Sequence, residues 1–158
     1  MTWRMQPGWQ RALEIGALLL LTALIAASAH AADAGRIKVI SGTVNIERNG
    51  KQVPAAIGTV VKSSDTIVTG ADGSVGISFL DDSLLSAGPN TVLSIDKYAF
   101  DPITNKGGFD TTLKRGTLAA VSGKLVKEQP ESMRIKTPSA IMGVRGTEFI
   151  VRVTEAKE

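Results

Sequence analysis

The chain has 158 residues, a formal net charge of +3, no Cys and a single His. Without Cys there is no thiol nucleophile, thiolate metal site or disulfide framework. With one His the usual general acid or base near neutral pH, and the commonest transition-metal ligand, are nearly gone too. The composition therefore argues against ordinary hydrolases and zinc enzymes, and no catalytic residue, metal site or cofactor is expected.

Arg4 and Arg11 form a basic start, followed by a largely apolar run from Ile15 to Ala29. Ala27-Ser28-Ala29 and Ala29-His30-Ala31 then offer the small-residue pattern that a signal peptidase reads. The run is shorter than the ~20 residues of a membrane-spanning helix, and Glu14 and Thr22 weaken it as an anchor. A cleaved signal peptide over 1–31 is expected, leaving one domain over 32–158 and no stable membrane insertion. No Cys follows the run, so a lipoprotein anchor is excluded. Cleavage removes Arg4, Arg11, Glu14 and His30, leaving 16 basic and 14 acidic residues and a net charge of +2. So small and scattered an excess is not a nucleic-acid footprint.

The predicted mature chain reads as strands and turns. Arg36–Ile40 and Thr43–Arg48 are strand-like runs broken at Ser41-Gly42, and Asn49-Gly50 is a two-residue hairpin signal. Lys51–Val53 returns and Pro54 stops it. Ile57–Lys62 leads through Ser63-Ser64-Asp65 into Thr66–Thr69. From Thr66 to Asp96 the pattern is clearest: Val75, Ile77 and Phe79, then Leu93 and Ile95, alternate with polar residues between turns at Gly70–Gly73, Asp81-Asp82 and Gly88–Asn90. Between Lys97 and Asp110 alternation fails. This segment holds Pro102, Gly107, Gly108, the only Tyr and two of the four Phe, and reads as an irregular loop that either caps the core or presents a binding surface. Thr111–Lys114, Gly116–Val121 and Lys124–Glu128 resume the pattern. Met133–Thr137 and Gly146–Val153 complete it, with Phe149, Val151 and Val153 on one face of the last strand. No mature segment carries sustained helical periodicity. The fold class is all-β: a single domain of many short strands, sandwich or β-solenoid-like, behind a signal-peptide helix.

Several of these pieces, in this order, resemble the FecR domain, a periplasmic all-β module known from regulators of iron-siderophore uptake. They are Gly42-Thr43-Val44, Asp65–Gly70, Gly73–Phe79 with Asp82-Ser83, Leu85–Thr91, Gly116-Thr117-Leu118, Thr137–Ala140 and Gly143–Phe149. The resemblance covers about Ile37 to Val153. It implies a periplasmic, non-enzymatic module that senses or binds. The chain departs from the siderophore regulators: with 14 residues before its apolar run and none after Glu158, neither a cytosolic sigma-binding domain nor a receptor-docking domain is expected. The implied partner is an envelope protein, with peptidoglycan or exported polysaccharide as second choice. A fold alone does not transfer a function.

Candidate sites divide between chemistry and structure. Asp81-Asp82 reads as a turn rather than a catalytic pair, because adjacent strand residues point to opposite faces. Ser94-Ile95-Asp96-Lys97 matches S-x-x-K, which works on a helix and here straddles a strand end. Asp96, Asp101 and Asp110 with Asn105 could hold calcium, but their spacing fits no calcium loop. Arg145, between Gly143 and Gly146, either bonds inside a closely packed segment or faces a partner. Tyr98, Phe100 and Phe109 either form an aromatic platform for sugars or close one end of the core. The candidate binding residues are Tyr98, Phe100, Lys106, Phe109 and Arg145. The rival class is a carbohydrate-binding or polysaccharide-processing accessory that uses carboxylates such as Asp82 and Asp96.

Overall fold

Asn49 and Gly50 adopt positive φ, 52° and 72°, and close a two-residue turn with Arg48 opposite Lys51. This is the primed turn that matches the twist of a hairpin. It joins strand β2 (Val44–Arg48) to β3 (Lys51–Pro54). The computed structural model describes residues 33–154. Before this hairpin runs β1 (Asp33–Ser41), and after it come β4 (Val60–Lys62), β5 (Thr66–Thr69), β6 (Ser74–Phe79) and β7 (Leu84–Ala87). Then follow β8 (Val92–Asp101), β9 (Lys106–Val121), a helix α1 (Lys124–Glu128), β10 (Met133–Lys136), β11 (Ile141–Gly143) and β12 (Glu148–Val153). The signal peptide expected over 1–31 lies outside the described residues.

The strands form one curled sheet in the order β3-β2-β5-β8-β9-β7-β6-β1-β4. Its pivot is β9. Lys106–Arg115 pairs with β8, while Leu118–Val121 pairs with β7 and Gly116–Val121 with β12. At the change of neighbour stands Gly116, with φ +93°; a Cβ there would lie 2.2 Å from the Thr91 hydroxyl oxygen. Only glycine gives both the left-handed backbone and that approach. β10 adds in parallel beside Phe109–Thr112 and carries β11 on its far side. The two halves face each other across one core. Val75, Ile77, Phe79 and Leu85 come from one half, and Ile46, Ile67, Leu93, Ile95 and Leu113 from the other. The all-β expectation holds, as one curled sheet around a single core.

An ion pair between a buried Asp65 and a part-exposed Arg48, 35% accessible, ties the halves at their corner. Asp65, 1% exposed, accepts Arg48 Nε and Nη2 at 2.7 and 2.6 Å, and also the Lys62 backbone N–H. Arg48 further donates to the Val60 carbonyl, at 2.8 Å. The bond to Asp65 raises the Arg48 pKa despite opposing desolvation.

Three expectations are corrected. Lys97–Asp110 is a regular hairpin of β8 and β9, paired from Lys97↔Asp110 to Asp101↔Lys106. Gly107 does not break the strand; a Cβ there would lie 2.0 Å from the Ala99 carbonyl oxygen, so glycine permits the cross-strand approach. Lys124–Glu128 is a short helix, too brief to show periodicity in sequence. Phe149 and Val151 face the core but are only half-buried, since β12 is an edge strand.

Candidate interaction site

The β8–β9 hairpin turns at residues 102–105. Asp101 shapes the turn by accepting the Ile103 N–H at 2.9 Å and the Thr104 hydroxyl at 2.7 Å. These bonds, the Thr104 hydroxyl foremost, hold its carboxyl below the usual carboxylate range. Asn105 takes φ 54° to re-enter the strand, and Ile103 stands 91% exposed at the tip.

Behind the tip the aromatics turn inward. Tyr98 and Phe109, opposite one another in register, pack edge-to-face at 5.1 Å, and Phe79 meets them at 5.4 and 4.6 Å. Both are buried, and Phe100 is half-buried against the core. A sugar platform would need their faces in solvent; the geometry is that of a core closure. Of the hairpin candidates only Lys106 is fully exposed.

Tyr98 has a second attachment. Its hydroxyl donates to Asp81 Oδ1 and accepts the Asp81 backbone N–H, both at 3.0 Å. Asp81, fully buried, also accepts the Ser83 hydroxyl at 2.6 Å, and Ser83 Oγ accepts the Gly123 N–H. Burial first, then the Asp81 charge, push the Tyr98 pKa far above its ordinary 10.0. Asp82 turns outward at φ 66° and pairs with Lys124 at 2.8 Å, which raises the lysine's pKa. The two carboxylates thus occupy a turn and diverge.

The other acidic candidates are likewise separated. Asp96 accepts the Thr112 hydroxyl, and Asp110 takes Arg134 in a two-point pair at 2.8 and 3.1 Å. That bond raises the Arg134 pKa. Ser94 Oγ bonds Thr66 across β5 and β8. Among the described residues no three acidic side chains converge in a way that could hold a metal ion.

Arg145 has different surroundings. Val144 is buried and donates its N–H to the Met133 carbonyl at 2.9 Å. On the other side, the Gly146 carbonyl accepts the Ser122 hydroxyl at 2.6 Å, and the Thr147 carbonyl accepts the Ser122 N–H at 2.9 Å. Arg145 is therefore held at both shoulders, and its exposed guanidinium has no hydrogen bond or ion pair among the described residues. The close packing expected around it is not there: a Cβ at Gly143 or Gly146 would meet nothing within 4 Å. Gly146 serves its φ of +129° instead.

Arg145 lines a cavity of about 150 Å³ with Ser122, Val126, Lys127, Pro130, Gly146 and Thr147. Lys127, in the last turn of α1, brings a second cation. The 129–132 turn connects this cavity to the hairpin: Gln129 Oε1 accepts the Gly107 N–H at 3.3 Å and the Ser132 carbonyl accepts the Phe109 N–H at 2.9 Å. Sequence reading found Arg145 but missed Lys127, Val126 and Pro130. They lie 15 or more positions away in the chain, and only the path of α1 brings them near. A second depression, of about 210 Å³ beside β1 and β4, includes Arg36, whose guanidinium already donates to the Gly58 carbonyl at 2.9 Å.

The family profile described as FecR protein matches residues 65–158, more than half the chain. The chain belongs to the FecR protein family. The match opens at Asp65, the buried partner of Arg48 in β2. FecR domains are envelope signalling and sensing modules, typically periplasmic. Among the described residues no helix is long and apolar enough to cross a membrane. Neither the curated proteins nor the solved structures give a significant match.

Proposed function

We propose that this FecR domain is a non-enzymatic periplasmic module that binds an envelope protein through the Arg145 cavity and the adjoining face of the β8–β9 hairpin. The observation that carries the reading is the exposed guanidinium of Arg145, which has no hydrogen bond or ion pair among the described residues and sits, on a backbone held at both flanks, at the rim of a small cavity beside Lys127. The backbone on either side of Arg145 is held in place, and the planar fork of its guanidinium suits a carboxylate. Val126 and Pro130 offer apolar contact beneath, so the complementary ligand is an acidic protein segment with an apolar neighbour. Lys106 extends the basic rim toward the hairpin. The burial of Tyr98 and Phe109 weighs against peptidoglycan or polysaccharide, which favour exposed ring faces.

In this reading the chain is exported and cleaved near Ala31. N-terminal sequencing of protein from a periplasmic fraction checks it, and uncleaved chain in the inner membrane would refute it.

The binding test is a quantitative pull-down from envelope extract, comparing wild type with Arg145→Glu/Lys127→Glu and with Lys106→Glu. An envelope protein captured by wild type should be lost with the double variant and weakened with Lys106→Glu. All three residues are exposed, so melting temperatures should barely change. A capture profile indifferent to the Arg145→Glu/Lys127→Glu change would exclude this cavity as the binding surface.

A further inference from the structure

Among the described residues the curled sheet has four strand edges, and three are blunted. β3 ends in Pro54, while β4 and β11 are three residues each. β12 differs. It spans six residues, Glu148–Val153, without Pro, Gly or Lys, and among the described residues its only strand neighbour is β9. Its charges, Glu148 and Arg152, are of opposite sign, so they deter a strand only where like meets like; with a complementary partner the edge is a template for another strand. Its outward residues are Glu148, Ile150 and Arg152, with Ile150 71% exposed. Ile150 also ends a row across the outer face, in register through Ala119, Ser86 and Gly76 to the exposed Val39. The inward residues Phe149 and Val151 are half-buried, so a further strand would cover apolar surface on both faces.

The charges identify the occupant. We propose that β12 pairs antiparallel with β12 of a second copy of this chain, about a two-fold axis at Ile150. In that register Glu148 of each copy faces Arg152 of the other, and Ile150 faces its own counterpart. Phe149 meets Val151 on the inner face. A parallel pairing in register would instead stack Glu148 on Glu148 and Arg152 on Arg152. Opposite charges directly across a strand pair are favourable and like charges unfavourable. Glu148 has no ion pair or side-chain hydrogen bond among the described residues, and Arg152 uses only Nε, toward Thr117 at 3.3 Å. Such an interface is isologous and closes after two copies. A six-residue edge is at or below the ~1,200 Å² of small specific interfaces, so the dimer is reversible and concentration-dependent.

Sedimentation velocity on protein recovered after export, over a wide concentration range, tests this directly. Wild type should shift from monomer to dimer as concentration rises. E148R and R152E each place like charges across the dyad and should weaken self-association by at least about tenfold. The double variant E148R/R152E restores opposite charges and should recover it. An equimolar mixture of the two single variants should form a heterodimer, because one supplies two cations and the other two carboxylates. Far-UV circular dichroism confirms that each variant is folded. A wild type that stays monomeric throughout, or a dimer unaffected by E148R and R152E, would overturn the proposal, as would failure of the mixed variants to associate.

Discussion

Tyr98→Phe removes one oxygen from the core and leaves the ring in place. That oxygen is bonded twice to one residue, donating to the Asp81 carboxylate and accepting the Asp81 N–H, both at 3.0 Å. Its loss removes a charge-assisted hydrogen bond and orphans a buried backbone donor, together about 2–4 kcal/mol. Against a typical stability of ~5–15 kcal/mol this is a large fraction. The same hydroxyl sets an alkaline limit. Its pKa is raised above the ordinary 10.0 by burial and then by the Asp81 charge, so the unfolded chain ionises first. The group's contribution is complete below pH 10 and falls as pH rises beyond it, by up to about 1.4 kcal/mol per pH unit, until native Tyr98 itself ionises. Denaturant titrations of wild type and Tyr98→Phe at neutral and alkaline pH give the difference, which should shrink above pH 10. Tyr98 is the only tyrosine in the chain, so phenolate absorbance reports on it alone. Phenolate appearing near pH 10 while circular dichroism is still native would refute the buried network.

Two further expectations concern the core and its corner. Arg48→Met leaves the Asp65 carboxylate with only the Lys62 N–H, and should cost about 2–3 kcal/mol in urea denaturation, less than a fully buried pair because Arg48 is 35% exposed. Adding Asp65→Leu should recover much of that loss, and a cost below about 1 kcal/mol for the single change would contradict the pair's importance. Phe79→Ala should cost about 3–5 kcal/mol, because the ring is buried between Tyr98 and Phe109. Phe149→Ala, on the half-buried edge, should cost about 1–2 kcal/mol; equal losses would place β12 deeper in the fold.

Where one face of a strand is buried and the other wet, the sequence was readable. Val75, Ile77, Phe79, Leu93 and Ile95 were expected inside and are. Asn49-Gly50 was expected to reverse the chain and does. The hairpin of β8 and β9 was misread because Pro102, Gly107 and Gly108 are local turn signals. Here Pro102 sits in the turn itself, and Gly107 answers to Ala99 across the strands, a neighbour that no local pattern reveals. The parallel docking of β10 on β9 and the five-residue α1 leave almost no periodic trace. Arg145 was legible as a candidate because of its glycine neighbours. Its setting was not, because Ser122, Val126 and Pro130 reach it only through tertiary structure.

The continuity of β9 through Gly116 makes the domain indivisible. One strand of 16 residues supplies a wall to each half, so neither half retains its sheet if the other opens. A slip of one residue anywhere along it would reverse inside and outside on both sides of the bend at once. Gly116 thus acts as a register pin for the whole chain: melting is expected as a single cooperative event, and no cut within β9 leaves an autonomous fragment.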